Sequence, residues 1–177
     1  IQTYIDERLK KPAHAAIAAR TELKMSWQVG SMIGLNDMSV LQPSASGAET
    51  GFGVVGTLPR PESAMALMSR IKSIFDVGAI RYSDIPSEEF MVQRVAICTG
   101  AGGSLIDDAL RANAQLYVTA DLRYNDFMRG DNRMILADIG HFESEFCAIR
   151  ILFDILSKKI NTFAVRKSVN SRNPIHY

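Results

Sequence analysis

The chain has 177 residues, 47% apolar and 22% charged, with a formal net charge of +1. That length holds one domain or two small ones, and that composition buries a sizeable core. The balanced charge offers no basic patch for nucleic acid or an anionic membrane surface, and no apolar run reaches the ~18 residues of a membrane span.

The chain opens on Ile1 rather than Met, with Thr3 to Lys11 reading as the end of a helix that Pro12 stops, as expected of a fragment or processed chain. Ala13 to Ala19 is a short apolar run of strand length. Ser26 suits the N-cap of a helix through Ile33, with Gly34 as its C-cap. Ser39 to Leu41 reads as a strand, Pro43 to Thr50 as a loop and the best linker candidate, and Phe52 to Leu58 as a strand carrying two glycines. Pro61 and Glu62 suit the first turn of a helix whose inward face is Ala64, Leu67, Met68, Ile71 and Phe75. Ala79 to Tyr82 is a short strand, Asp84 to Glu89 a polar loop and Val95 to Thr99 an apolar strand. Gly100 to Gly103 is a glycine turn opening a helix from Ser104 to Asn113. Leu116 to Thr119, Tyr124 to Met128 and Met134 to Ile139 read as strand, short helix and strand. His141 to Lys159 is the longest helix, and Thr162 to Lys167 a last strand. This alternation predicts a layered α/β fold, its mixed or mostly parallel sheet flanked by helices.

Cys98 lies in an apolar strand and Cys147 in an apolar helix. They read as unpaired buried thiols, which places the chain in a reducing compartment, the cytoplasm.

His141 and Glu145 are four residues apart at the start of the longest helix, so their side chains share one face. An imidazole and a carboxylate together suit zinc or a first-row divalent cation. Gly140 allows the preceding strand to turn sharply, which puts the pair at a strand's carboxyl end, where open α/β sheets hold their sites. The stripe Phe142, Phe146, Ile149, Phe153 and Leu156 centres roughly 60–120° around the helix from His141, placing the pair at the core's edge. Spacing alone equally describes a surface pair, and two ligands do not complete a metal site.

Longer motifs bear on that choice. Asp138-Ile139-Gly140-His141 with Glu145 is similar to a D-x-G-H-x-x-x-E signature. Val95 to Ser104 resembles a V-A-x-C-G-G-x-G-S strand and loop, and Leu116 to Tyr124 a D-x-x-x-T-G-D-x-x-Y segment. Phe52 to Pro59, Asn161 to Arg166 and Asn173-Pro174-Ile175 match the middle strand, closing strand and tail of the same family. In this order they resemble the C-terminal part of the Nif-three-like, dinuclear-metal-centre hexameric proteins, often described as GTP cyclohydrolase 1 type 2-like. The resemblance implies two α/β domains, with residues 1–43 a remnant of the N-terminal half and 44–177 the portion carrying the H-x-x-x-E signature. It also implies a ring-shaped homo-hexamer and two divalent metal ions per subunit, with His141 and Glu145 as ligands. A metal-dependent hydrolase acting on a small phosphate-bearing or nucleotide-like ligand is one implied function. A non-catalytic assembly or interaction protein with a degenerate metal site is the other.

Departures from the family pattern favour the second function for the chain as it stands. Arg20 and Lys24 replace the His and Asp of an H-T-x-x-D element, and Asn125 stands where many relatives have His. A protonated lysine offers a cation no lone pair. The site is therefore expected to be largely metal-free, or completed by another segment or subunit.

Other polar residues are read beside these. Gly100, Gly102, Gly103 and Ser104 open a helix whose backbone N–H groups suit an anion, but without a phosphate-binding motif a tight turn capped by Ser104 and Asp107 is favoured. Asp121 and Asp138 follow strands and serve either as turn residues or as partners that orient His141. His14 and His176 are read as bystanders, and Trp27 as core or interface.

Overall fold

Strands that are apolar on both sides require a sheet covered on both faces, and the computed structural model builds one. It describes residues 25–45, 47–160, 162–170 and 172–176. The helix expected to end at Pro12, the strand over Ala13–Ala19, and His14, Arg20 and Lys24 lie outside that set. A helix over residues 25–33 (α1) leads into β1 (Asn36–Ser44), β2 (Gly47–Ser63), α2 (Ala64–Ile74), β3 (Arg81–Tyr82) and β4 (Met91–Ala101). A 3-10 turn, Gly103–Leu105, then opens α3 (Ile106–Arg111). β5 (Leu116–Ala120), α4 (Tyr124–Phe127), β6 (Ile135–Asp138), α5 (His141–Glu145) and α6 (Cys147–Lys159) complete the order.

Among the described residues six strands form one mixed sheet in the order β1-β2-β4-β5-β6-β3. β4, β5 and β6 run parallel at its centre, and β1, β2 and β3 join antiparallel. Alternate residues of each central strand face opposite layers. Val95, Ile97, Leu116, Val118, Ile135 and Ala137 pack with Val29 and Ile33 of α1 and Leu67 and Ile71 of α2. Ala96, Cys98, Tyr117 and Leu136 pack with Ile106 and Ala109 of α3. Each fully buried aliphatic side chain of this kind contributes about 1.5–3 kcal/mol. Trp27 packs against the first layer, as expected. Cys98 is buried and Cys147 half-buried.

Several elements differ from the sequence expectation. The segment expected as a loop is instead the closed end of a β1–β2 hairpin, in which Pro43 pairs with Gly51 and Ser44 with Gly47. β1 is an edge strand, where proline's missing N–H costs no ladder bond. α2 does not begin at Pro61. Glu62 pairs with Val92 in the sheet, and Ser63 caps the helix by accepting from the Ala66 N–H. The Glu62 carboxylate instead takes a two-pronged contact from Arg70 at 3.2 and 2.8 Å. Arg70 also donates to the Ile33 carbonyl at 2.6 Å, tying α2 to the end of α1.

The helix expected over His141–Lys159 is interrupted at Phe146, giving α5 and α6. Its apolar stripe is not core, because α6 has no buried residue and Phe146 is 56% exposed. Residues 162–167 form no strand; Lys167 instead sits 4.6 Å from the centre of the Phe153 ring.

Leu67→Ala should therefore cost about 2–5 kcal/mol, the usual range for a buried leucine, since Leu67 is 0% exposed. Leu152→Ala should stay within about 0.5 kcal/mol, since Leu152 is 48% exposed. Denaturant unfolding of the two variants measures the contrast.

Candidate metal centre

The carboxyl ends of the three parallel strands converge on one point. β6 ends at Asp138, and Gly140 turns the chain with φ +89° and ψ 144°, a conformation that suits glycine. α5 starts immediately with His141. β5 ends at Ala120, and Asp121 follows in the left-handed region at φ +56°, which aspartate tolerates. β4 bulges before its end: between Ile97 and Ala101 it advances four residues while β5 advances from Val118 to Ala120. Gly100 lies in that bulge at φ +68°.

One buried carboxylate holds two of these turns together. Asp138 accepts from the Leu122 and Gly140 N–H groups, both at 3.0 Å, and pairs with Arg81 of β3. It fixes the turn carrying Asp121 against the turn carrying His141. Of the two roles expected for Asp138, it takes the turn role.

The three polar groups then meet. His141 Nδ1 lies 2.6 Å from Asp121 Oδ2 and His141 Nε2 lies 3.3 Å from Glu145 Oε2. Asp121 thus takes the orienting role. An ionised carboxylate only accepts, so Nδ1 carries the proton in that contact. A neutral imidazole would then turn the Nε2 lone pair towards a second carboxylate. Two acceptors facing each other at that distance call for a cation between them, either a proton or a metal ion. Accordingly the Asp121 hydrogen bond first, and the Glu145 and Asp121 charges after it, raise the His141 pKa against a smaller opposing desolvation. The pair is half-exposed, with His141 47% and Glu145 35% accessible. It borders a cleft of about 410 Å³ walled by Phe142, Phe146, Ile149, Pro174 and Ile175.

The glycine segment is used inwardly. The Gly102 carbonyl accepts from the buried Tyr117 hydroxyl at 2.8 Å, and a Cβ on Gly102 would strike Thr119 Oγ1 and Tyr117. Burial pushes the Tyr117 hydroxyl pKa well up, so it stays protonated and donates. Gly103 faces the Asp126 carboxylate, and its carbonyl accepts from Arg129 at 2.9 Å. The expected Ser104–Asp107 cap is not formed: neither the 3-10 turn nor α3 has a side-chain cap, and Asp107 pairs with Arg129 at 3.0 Å. Asn125 is exposed on α4, and His176 is exposed in the tail.

Sequence reasoning missed Ser144, Arg81 and Glu143. Ser144 shares the inner face of α5 with the ligand pair, which its spacing could have shown. Glu143 is buried and accepts from Asn173 at 2.8 Å, and Arg81 reaches Asp138 across the sheet; neither partnership leaves a local signal. Among the described residues no group of three or more His, Cys, Asp or Glu is arranged to hold a metal ion.

A family model described as Duf34/NIF3 (NGG1p interacting factor 3) matches residues 12–174. A protein of Mycobacterium leprae named GTP cyclohydrolase 1 type 2 homolog is 37% identical over 116 residues, covering 64% of this chain and 30% of its own length. A Streptococcus pneumoniae protein of the same name is 30% identical over 154 residues, covering 82% and 56%. The chain therefore spans about a third to just over half of these relatives. Among solved structures, Staphylococcus aureus hypothetical protein SA1388 aligns at TM-score 0.77 and 18% identity, covering 88% of this chain and 64% of that one. Protein ybgI, of unknown function, aligns at 0.66 and 26%, covering 79% and 53%.

In the metal-free chain the His141 imidazole should titrate above its ordinary 6.5. Asp121→Asn should lower that midpoint by removing the largest contribution. The stabilising contact is fully present below the ordinary imidazole value and is lost as pH rises through the raised one. Histidine NMR titration of the two proteins measures the shift, and identical midpoints would show that Asp121 does not set it.

Proposed function

The chain belongs to the Duf34/NIF3 family, and from that premise we propose that it binds a divalent metal ion through His141 Nε2 and Glu145. One observation carries this reading: Asp121 holds His141 Nδ1 at 2.6 Å while Nε2 converges on Glu145 at 3.3 Å. That is the arrangement in which a carboxylate orients a ligating imidazole and raises its basicity. The donor set, one nitrogen and one carboxylate, fits zinc or a first-row divalent ion. A bound metal would act as a Lewis acid and lower the pKa of its water.

The chain's own residues supply the framework. Asp121 selects the tautomer, Glu145 brings negative charge to the same point, and Asp138 keeps the two strand-end turns in register. Two donors make half a site, so the remaining ligands come from residues outside those described or from a second subunit. The exposed apolar side chains of α6, Leu152 and Leu156 among them, support a homo-oligomer, a hexamer by family resemblance. On this reading the protein is a metal-dependent hydrolase for a small phosphate-bearing or nucleotide-like ligand, in line with the name its relatives carry. A non-catalytic assembly protein with an incomplete metal site is the second reading. The pairing of only two candidate ligands, with an exposed Asn125 at a position where many relatives have histidine, favours it.

Titration of the purified chain with Zn²⁺ by calorimetry should show weak binding. His141→Ala and Glu145→Gln should each reduce the affinity at least about tenfold, and Asp121→Asn by about 10–100-fold. Unchanged affinity in His141→Ala would remove the ligand assignment. Two tightly held ions in the protein as purified would instead exclude the incomplete site.

A further inference from the structure

Glu145 has a neighbour on the sheet as well as on the helix. A Cβ built on Gly100 would lie 2.6 Å from Glu145 Oε1 and 3.5 Å from His141 Cε1. The carboxylate and the imidazole therefore rest against bare backbone at the end of β4, and a side chain there would displace the carboxylate. The φ of +68° at Gly100 adds a second reason for glycine.

The same residue is tied to α5 through its amide. The Gly100 N–H donates to Ser144 Oγ at 2.9 Å, across 44 positions of sequence. Ser144 Oγ donates in turn to the His141 carbonyl at 2.9 Å. Ser144 is 2% exposed, so both bonds are shielded from water. The Gly100 carbonyl accepts from Thr119 Oγ1 at 3.2 Å, which joins β4 to β5. A serine between two ligand positions thus makes one hydrogen bond to the strand and one to the backbone of the first ligand.

We propose that Gly100 and Ser144 are positioning residues for the ligand pair: the serine hydroxyl docks α5 on the β4 bulge, and the missing glycine side chain leaves the space Glu145 occupies. This rests on the metal-binding reading above and gives Gly100, read from the sequence as part of a tight turn, a part in ligand placement.

Ser144→Ala removes the hydroxyl and leaves the buried Gly100 N–H without its partner. Ser144→Thr keeps an Oγ, which in a helix can bond the carbonyl three residues earlier. Gly100→Ala adds the Cβ that meets Glu145. The full chain and these variants, with His141→Ala as control, are titrated with Zn²⁺ alone at a temperature where thermal unfolding shows each to be folded. Histidine NMR of the metal-free proteins is recorded in parallel.

Ser144→Ala and Gly100→Ala are expected to weaken Zn²⁺ binding by about tenfold or more, the scale of lost ligand support, and to move the His141 ring resonances. Ser144→Thr is expected to stay close to wild type in both. Affinities and resonances for Ser144→Ala that match those of Ser144→Thr and wild type overturn the positioning role, as do ring resonances that move in Ser144→Ala with no loss of Zn²⁺ affinity. Zn²⁺ binding that His141→Ala leaves unchanged overturns the ligand assignment instead. Should Gly100→Ala not fold, the comparison of Ser144→Ala with Ser144→Thr decides alone.

Discussion

The imidazole of His141 stands between two carboxylates, and the demand of that arrangement for positive charge governs everything around it. Asp121 accepts a hydrogen bond from Nδ1–H, so Nε2 is left to face Glu145. A proton can satisfy the Nε2–Glu145 side, and a divalent cation can satisfy it with more charge. The two compete, because a ligating nitrogen must be free of its proton. With the pair only half-buried, water screens part of the attraction, so on the proposed reading proton and metal compete in a screened setting.

Holding three polar groups at such separations is a task for backbone rather than side-chain packing. Asp121 lies one residue past the end of β5, His141 three past the end of β6, and Glu145 one helical turn further on. Asp138 then cross-links two of the turns through their N–H groups, and Ser144 links α5 to the third strand. A buried carboxylate is costly unless it is fully hydrogen-bonded and paired. Asp138 meets that condition with two amides and Arg81. The guanidinium comes from β3, a two-residue strand, and its register opposite β6 places Arg81 against Asp138. The short edge strand thereby has a clear use.

Sequence periodicity was a reliable guide where both faces of a strand are buried, as for Val95–Thr99 and Leu116–Thr119, because nothing but a covered sheet accepts such runs. The closeness of His141 and Glu145 was legible from their spacing, since residues four apart share a helix face, but that spacing alone also describes a surface pair. The failures have specific causes. Pro61 and Glu62 carry helix-start chemistry, yet pairing with β4 and the Arg70 contact hold them in the sheet. Pro43 reads as a loop residue, but at an edge strand its missing N–H goes unnoticed. Asp121 had two plausible roles, and only the positive φ of its turn, invisible in sequence, aims its carboxylate at the imidazole. The partnership of Gly100 with Ser144 is equally non-local.

The longest amphipathic stretch, His141 to Lys159, shows how periodicity can mislead about burial while being right about helix. Its stripe is real, but full burial is confined to α5: Glu143 and Ser144 are buried, and no residue of α6 is. The break at Phe146 separates a segment hydrogen-bonded to the sheet from one that meets the core through half-buried Cys147. The position of His141 and Glu145 therefore depends on α5 and the strand ends, not on whatever apolar surface meets α6. If a second subunit covers α6, that contact can bring further ligands towards the pair without having to build the pair itself. On the proposed reading, the two halves of the site are then separable.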